Sequence, residues 1–375
     1  MKIGLLLDGD IDFPGGVQTY LKGLYQFLLK AGHQPSIISG GEGGKSEKAG
    51  FKILRMGKAY VLPGVGTKTS ISLNWVGKQK IKKTLEEGQF DLLHLQALFL
   101  TLGAQFLEHA ETPTVATFHN YWWEPEKLHV PLKFLHLLLD RYIQKLDARI
   151  AVSQPAFKFV NQIFPGDYTI IPPGIDLNKY QGALRKETTP KEPITILYVG
   201  RLDRRKGILF LLEAFKRVQK TITNTKLVVV GKGSFKKKAQ SFVSKHNLKG
   251  VEFVGFVEDE KLPRYYAKAN IYCSPATQGE SFGIVLLEAM ASGLPVVAFA
   301  NAGYREVLVG KGARFLVPPK DIEKLTEVLS TLIEDRSLRR EMSRWSLNEA
   351  KKYSWENVGP KIIKVYEKVV KPRLT

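Results

Sequence analysis

The chain has 375 residues, enough for two or three domains of about 150 residues each. Its residues are 44% hydrophobic and 25% charged, which excludes collagen, a disordered tail protein and a disulfide-stapled miniprotein. Lys and Arg number 56 against 36 Asp and Glu. The resulting net charge of +20 favours an anionic partner: nucleic acid, a phosphorylated substrate or an acidic lipid surface.

The compartment expected from the sequence is the cytoplasm. A lone cysteine, Cys273, forms neither an internal disulfide nor a metal site. No apolar run reaches the roughly 18 residues of a membrane span. The N-terminal apolar run meets Asp8 too early to be a signal peptide.

Short apolar runs alternate with helical stretches through the first half. Residues 2–7 predict a buried strand, Gly15-Gly16 a loop and residues 17–29 a helix. Further strands are predicted at 36–39, 51–54, 91–95, 114–118 and 149–152. This alternation favours a parallel sheet covered by helices on both faces.

The second half repeats the scheme. Strands are predicted at 194–199, 226–230, 251–254, 271–274 and 295–298, helices at 208–220 and 282–291, and a mostly helical tail at 321–370. The sequence thus predicts two similar α/β domains, residues 1–172 and 173–355, joined near Pro172. Ligands of such domains bind beyond the carboxyl ends of the strands, so the cleft between the domains is the expected site.

The positive charge is concentrated in the second half. Residues 1–172 carry 19 basic and 15 acidic side chains, whereas residues 173–375 carry 37 and 21. No basic stretch has the interleaved aromatics of a nucleic-acid-binding surface, so nucleic acid is not expected as a partner. Solvated Lys and Arg side chains explain most of the excess.

Glycines and cations follow the first strand of each half. Gly15-Gly16-Val17 lets the backbone and a helix N-terminus approach a phosphate, although an ordinary tight turn explains it equally well. Gly200–Gly207 carries Arg201, Arg204, Arg205 and Lys206, whose mutual repulsion an anionic guest would relieve. A diphosphate fits that role, and a solvated basic loop is the alternative.

Two glutamates and a histidine complete the candidate set. Glu280 and Glu288 lie eight residues apart near a predicted helix start, so both carboxylates are expected to project from one helix into one cleft. Burying Glu288 among apolar neighbours requires a partner, and ribose hydroxyls are suitable ones. His119 ends an apolar strand and is as consistent with a structural as with a catalytic histidine.

In this order the motifs resemble those of glycosyltransferase family 4, retaining enzymes with the two-Rossmann GT-B fold. The residues that carry the likeness are Gly15-Gly16-Val17, Thr117-Phe118-His119, Ile171–Asp176, Gly200–Gly207 and the pair Glu280 and Glu288. Within the family the chain is most similar to bacterial phosphatidylinositol mannosyltransferases. The likeness implies two Rossmann-like domains facing across a deep cleft, with a last helix, 356–375, that crosses back to the first domain.

The resemblance also implies a role for each matching residue. Residues that contact the nucleotide sugar would be Gly16, Arg201, Arg205, Lys206, Val257, Asp259, Ser281, Phe282, Gly283, Ile284 and Glu288. His119 and Glu280 would be catalytic, and Gln18 would bind the acceptor. The chain departs from the mannosyltransferases in three places: Gly9 replaces an acceptor-binding tyrosine, residues 70–72 replace an acceptor-phosphate arginine, and Leu262 replaces a base-reading lysine.

The expected reaction transfers a hexosyl group from a nucleotide diphosphate to a hydroxyl of a lipid or glycan acceptor, with retention. Mannose from GDP-mannose is favoured, and glucose from UDP-glucose comes next. Basic groups can stabilise the departing diphosphate, so no metal or other cofactor is expected. A nucleotide-sugar epimerase or phosphorylase of the same fold, or a binder of anionic surfaces without enzymatic activity, remains an alternative.

A peripheral position at the inner face of the cell membrane is also expected. Residues 78–85 are amphipathic and carry Lys78, Lys80, Lys82 and Lys83, with apolar material at Trp75, Trp122-Trp123 and residues 132–139. The alternative is an ordinary helix that packs Ile81 and Leu85 on its own sheet.

Overall fold

The structure is a computed structural model that describes residues 1–41, 45–48, 50–64, 67–72, 76–96, 102–121, 137, 139–181 and 192–371. The chain divides into two compact units. Unit 1 comprises Met1–Gly174 and Trp355–Thr375, and unit 2 comprises Ile175–Ser354. Each unit is built on a mainly parallel sheet, which confirms the predicted α/β class.

Unit 1 contains one large sheet and a separate hairpin. Its strands are β1 (Lys2–Asp10), β2 (Gln34–Gly40), β3 (Lys45–Lys48), β4 (Phe51–Arg55), β5 (Ala59–Gly64), β6 (Thr67–Ser72), β7 (Leu92–Gln96), β8 (Thr114–Phe118), β9 (Ala148–Ala151) and β10 (Thr169–Ile170). The sheet has the order β10-β9-β8-β7-β1-β2-β4-β3, and only the last pair is antiparallel. Strands β5 and β6 form the antiparallel hairpin. Its helices include α1 (Gly16–Lys30), α2 (Lys78–Gly88), α3 (Leu102–His109) and α4 (Gln154–Ile163).

Unit 2 has an all-parallel sheet with the order β13-β12-β11-β14-β15-β16. Its strands are β11 (Ile194–Val199), β12 (Thr225–Val230), β13 (Val251–Gly255), β14 (Ile271–Ser274), β15 (Val296–Phe299) and β16 (Leu316–Val317). Its helices are α5 (Leu177–Gln181), α6 (Ile208–Val218), α7 (Lys236–Lys245), α8 (Leu262–Lys268), α9 (Ile284–Ala291), α10 (Tyr304–Val307), α11 (Ile322–Glu334) and α12 (Arg336–Lys351).

The central strands of both sheets are buried on both faces, which explains their continuous apolar runs. In β1, Leu5 and Leu7 enter one core cluster with Leu24 of α1, while Leu6 enters the cluster on the opposite face with Ile81 of α2. The predicted strands at 114–118, 194–199 and 271–274 have the observed bounds.

The last helix, α13 (Trp355–Val370), returns to unit 1, as the family resemblance implied. It packs on α1 through small residues. A Cβ on Gly23 would lie 2.4 Å from Trp355 Nε1, and one on Gly359 would lie 2.2 Å from Phe27 Cε1. Only glycine allows the two helices to approach this closely.

Candidate active site

In unit 2, the basic loop Gly200–Gly207 lies at the carboxyl end of β11 and leads into α6. Arg205 Nη1 and Lys206 Nζ lie 2.6 Å and 2.9 Å from the same atom, Oε1 of Glu280. Arg205 Nη1 also donates to the carbonyl oxygen of Gly279 at 2.7 Å. Two of the predicted diphosphate-binding residues therefore meet the predicted catalytic carboxylate.

This ion cluster is almost fully buried, since the side chains of Arg205, Lys206 and Glu280 are only 11%, 14% and 11% exposed. Burial alone would raise the pKa of Glu280, but the charges of Lys206 and Arg205 outweigh it and hold that pKa below its usual value. Burial lowers the pKa of Lys206 in spite of the neighbouring carboxylate. Burial also acts to lower the pKa of Arg205, yet Glu280 and Asp203 raise it overall.

The predicted repulsion among the loop cations is relieved within the chain itself. Arg201 Nη2 lies 3.5 Å from Asp203 Oδ2, while Glu280 holds Arg205 and Lys206. Burial lowers the pKa of Arg201, with Asp203 opposing that shift. Carboxylates of the chain itself therefore lie among these cations, and the diphosphate stays a prediction. The four cations of the loop, Arg204 included, against Asp203 and Glu280 still leave an excess of two positive charges.

The segment from Glu280 to Ile284 approaches α9 as an extended loop, so the prediction that both glutamates project from one helix is wrong. Helix α9 begins only at Ile284, because Gly283 has a left-handed φ of 120°. Phe282 is buried and packs edge-on against Tyr353, which anchors the loop beside Ser281. A Cβ on Gly303 would lie 2.4 Å from the Glu280 carbonyl oxygen, so this loop is in backbone contact with Gly303.

Glu288 lies within α9 and is 5% exposed. Its Oε2 accepts a hydrogen bond from the Tyr266 hydroxyl at 2.7 Å, and the Tyr180 hydroxyl also bonds to it. Burial and the charge of Asp259 raise the pKa of Glu288 to about 7. The partner that its burial requires is therefore a pair of tyrosines, which sequence spacing did not indicate.

Asp259 lies beside Glu288 and is paired with Lys179 of α5, whose Nζ is 2.9 Å from Asp259 Oδ2. Val257 is partly buried and packs on the core cluster that contains Tyr266. Leu262, the departure at the base-reading position, is the first residue of α8. Lys179 gave no signal in the sequence, because its partner is 80 residues away along the chain.

In unit 1, Gly16 is the first residue of α1, which follows β1 after the loop 11–15. A Cβ on Gly15 would lie 2.6 Å from Gln18 Oε1. Gln18 Nε2 in turn donates to the Asp10 carbonyl oxygen at 3.2 Å. Gly9, the departure at the acceptor-binding position, lies inside β1. Gly15 thus caps the N-terminus of α1, and Gly16 and Gln18 lie in its first turn.

Arg55 fixes the shape of that loop. Its Nη1 lies 3.1 Å from Asp10 Oδ1 and its Nη2 lies 2.7 Å from Asp12 Oδ2. These carboxylates, with Asp8, have the alternate spacing that a metal site could use. However, within the part of the chain that the structure describes, no three His, Cys, Asp or Glu side chains form a group that could hold a metal ion.

His119 directly follows β8 and is nearly buried, so it lies at the carboxyl edge of the sheet of unit 1. Its Nε2 lies 2.9 Å from Oε1 of Gln96, the last residue of β7. The Tyr20 ring packs edge-on against the imidazole at 4.8 Å. Burial lowers the pKa of His119 to about 3, so the ring is neutral at physiological pH. Gln96 is a candidate residue that the sequence did not indicate.

Family models match both units of the chain. "Glycosyltransferase Family 4" matches residues 14–179, and "Glycosyl transferases group 1" matches residues 181–347. In the described ranges, none of the helices is long and apolar enough to cross a membrane.

Individual proteins match over nearly the whole chain. The "Phosphatidyl-myo-inositol mannosyltransferase" of Mycolicibacterium smegmatis is 32% identical over 98% of this chain and 94% of its own length. The protein of the same name from Mycobacterium tuberculosis is also 32% identical, over 98% and 97%.

Solved structures share the fold. Sucrose-phosphate synthase of Thermosynechococcus elongatus has a TM-score of 0.76 at 22% identity, with 99% of both chains covered. HepE of Anabaena, solved with UDP and glucose, has a TM-score of 0.73 at 21% identity and covers both chains completely. Together with the full-length likeness in sequence, these matches lead to one conclusion: the chain belongs to glycosyltransferase family 4 and is a glycosyltransferase.

Proposed function

We propose that the protein is a retaining hexosyltransferase that takes its sugar from a nucleotide diphosphate, with GDP-mannose the preferred donor and UDP-glucose the next. The observation that carries this proposal is the buried cluster of Arg205, Lys206 and Glu280, with Arg201 beside it, at the carboxyl edge of a parallel sheet. Such an edge is where α/β domains bind ligands. Guanidinium and ammonium groups gathered in this way suit a diphosphate.

In this reaction the bond between the sugar's anomeric carbon and the diphosphate breaks, and a bond from that carbon to the acceptor oxygen forms on the same face. Negative charge develops on the leaving diphosphate. Arg201, Lys206 and the backbone N–H groups of Gly16 and Gly283 would stabilise it. The departing phosphate takes the acceptor's proton, so the step needs no strong base and no metal ion.

The remaining site residues would hold the rest of the sugar nucleotide. Glu288 accepts hydrogen bonds from the ribose hydroxyls, and Val257 with Asp259 lies against the base. The Glu280 carboxylate and the loop Ser281–Ile284 hold the sugar and phosphate. In unit 1, His119 faces the sugar and helps its transfer, and Gln18 binds the acceptor.

A donor screen tests this assignment. GDP, UDP and ADP are compared by thermal shift, and GDP-mannose and UDP-glucose by transfer of radiolabelled sugar to a lipid extract. The proposal expects stabilisation by a nucleoside diphosphate, and label in the lipid fraction that depends on the extract. Release of nucleotide at the same rate without the extract would favour an epimerase or hydrolase. No stabilisation and no release would contradict sugar transfer.

We also propose that the acceptor is a membrane lipid, reached from an anionic membrane surface. On α2 the side chains of Lys78, Lys80, Lys82 and Lys83 are exposed, while Ile81 is completely buried in the core of unit 1. The apolar face of α2 therefore packs on its own unit. The helix would bind the membrane surface through its lysine charges, without inserting apolar side chains into the bilayer. Residues 73–75, 122–136 and 138, which carry most of the apolar material expected nearby, lie outside the described residues.

Co-sedimentation with lipid vesicles tests whether the lysines of α2 bind an anionic membrane. Each lysine near an anionic membrane contributes about 1 kcal/mol. We expect binding to phosphatidylglycerol vesicles at low salt, loss of binding at high salt, and none to phosphatidylcholine. Changing Lys78, Lys80, Lys82 and Lys83 to Ser should abolish it. A matched variant that removes four lysines from unit 2, at 237, 238, 245 and 249, should keep it. Equal loss in both variants would show that only net charge matters.

A further inference from the structure

Gln96 bonds to the candidate catalytic histidine but has no evident structural reason to be polar. It is 1% exposed at the end of β7. Its Oε1 lies 2.9 Å from His119 Nε2, yet among the residues that the structure describes its own Nε2 has no hydrogen-bond partner. A buried N–H without a partner costs free energy that an apolar side chain would avoid. A buried polar group without a partner therefore calls for an explanation, and a functional role is one.

Two neighbouring polar side chains, Thr117 and His94, already have other partners, so within the described ranges His119 is the side-chain partner of Gln96. Thr117 lies opposite Gln96 in the register of β7 and β8. Its hydroxyl is bonded to His94 Nε2 at 2.7 Å and also to Tyr20. His94 Nδ1 bonds in turn to the Tyr366 hydroxyl of α13 at 2.6 Å.

The Gln96 contact determines which nitrogen of His119 carries the proton. Burial keeps the imidazole neutral, so the ring has a single N–H. The amide oxygen of Gln96 faces Nε2 and only accepts hydrogen bonds, so this contact favours the N–H on Nε2 and the lone pair on Nδ1. The Tyr20 ring, packed edge-on at 4.8 Å, restricts the imidazole from another side.

We propose that Gln96 is the positioning residue of His119, fixing its ring orientation and its Nε2–H tautomer so that Nδ1 is a permanent hydrogen-bond acceptor for a sugar hydroxyl. The proposal rests on the sugar-binding role proposed for His119. Gln96 itself acts through the histidine. A ring that lost this contact could flip or change tautomer and present a donor where the hydroxyl needs an acceptor.

The test compares the wild type with Gln96→Met, which keeps the length of the side chain and removes its amide. The matched control is Gln105→Met. Gln105 is an equally buried glutamine of unit 1 whose Oε1 accepts from the Val76 backbone N–H at 2.9 Å. The first readout is the ¹⁵N NMR spectrum of histidine-labelled protein, with the His119 signals assigned by their loss in His119→Asn. The second is kcat and KM for the sugar donor.

We expect the Nε2–H tautomer for His119 in the wild type and in Gln105→Met. In Gln96→Met we expect averaged signals, with kcat at least tenfold lower and KM for the sugar donor changed less than threefold. An Nδ1–H tautomer in the wild type, or an unchanged kcat in Gln96→Met, would overturn the proposal. The NMR readout does not depend on activity, so a wild type that transferred no sugar would refute the proposed function and leave the tautomer assignment to be judged by itself.

Discussion

Glu280→Gln is the sharpest probe of the ion cluster, because one carboxylate oxygen holds two buried cations. The substitution keeps the size of the side chain and a carbonyl oxygen, but removes the charge that balances Arg205 and Lys206 at 2.6 and 2.9 Å. Breaking a buried ion pair by removing one partner costs about 3–5 kcal/mol. At about 2–4 °C per kcal/mol for a unit of this size, the expected loss in Tm is roughly 6–20 °C.

The assay is thermal unfolding followed by circular dichroism, with Glu213→Gln as the matched control. Glu213 also holds two cations, Lys216 at 2.7 Å and Arg217 at 3.3 Å, but these side chains are 22–35% exposed. Exposed pairs contribute about 0–1 kcal/mol, so the control should lose little. Pyrophosphate should stabilise Glu280→Gln more than the wild type, since it restores negative charge beside the same cations. The reasoning is refuted if the two variants have similar Tm values.

Three further predictions concern the same unit. Arg201→Ala or Lys206→Ala should weaken binding of the preferred nucleoside diphosphate by about 1.5–3 kcal/mol, because each removes a charged hydrogen bond. Calorimetry measures the affinity, and the control Lys216→Ala should bind as tightly as the wild type. If Arg201→Ala and Lys206→Ala also bind with the wild-type affinity, the diphosphate assignment is contradicted. The pKa of Glu288 is raised from 4.5 to about 7, so the stability that its protonation provides is present below pH 4.5 and lost as the pH rises to about 7. Urea unfolding should show that loss in the wild type and not in Glu288→Gln, and parallel pH profiles would argue against the shift. Gly303→Ala places a Cβ 2.4 Å from the Glu280 carbonyl oxygen and should cost about 1–3 kcal/mol and reduce sugar transfer, whereas Gly77→Ala, which meets nothing within 4 Å, should be neutral in both assays.

The sequence was sufficient for the fold because the information lies in local patterns. Apolar runs such as 194–199 and 271–274 alternate with amphipathic helices, and their strands are buried on both faces. The hairpin of β5 and β6 escaped prediction, since Pro63 and Gly64 lie in one strand and are typical of turns. Strand β3, a four-residue antiparallel edge strand, gave no apolar run either.

The candidate site was only partly accessible from the sequence. The basic loop and Glu280 are visible as motifs, but their direct ion pairs are not, because about 75 residues separate the partners. Helical spacing placed Glu280 wrongly, since the left-handed φ of Gly283 delays the start of α9. Lys179, Tyr266 and Gln96 belong to no motif. Their importance comes from tertiary contacts with Asp259, Glu288 and His119.

The return of α13 to unit 1 has a consequence for synthesis on the ribosome. Unit 2 is formed by one uninterrupted segment of the chain, Ile175–Ser354, and all of its residues are translated before α13. Unit 1 starts first but lacks Trp355, Ile362 and Tyr366 of its core until α13 has been made. The core of unit 1 is therefore completed only when the last helix has been made, after every residue of unit 2. Until then, the face of α1 that packs on α13 lacks its cover.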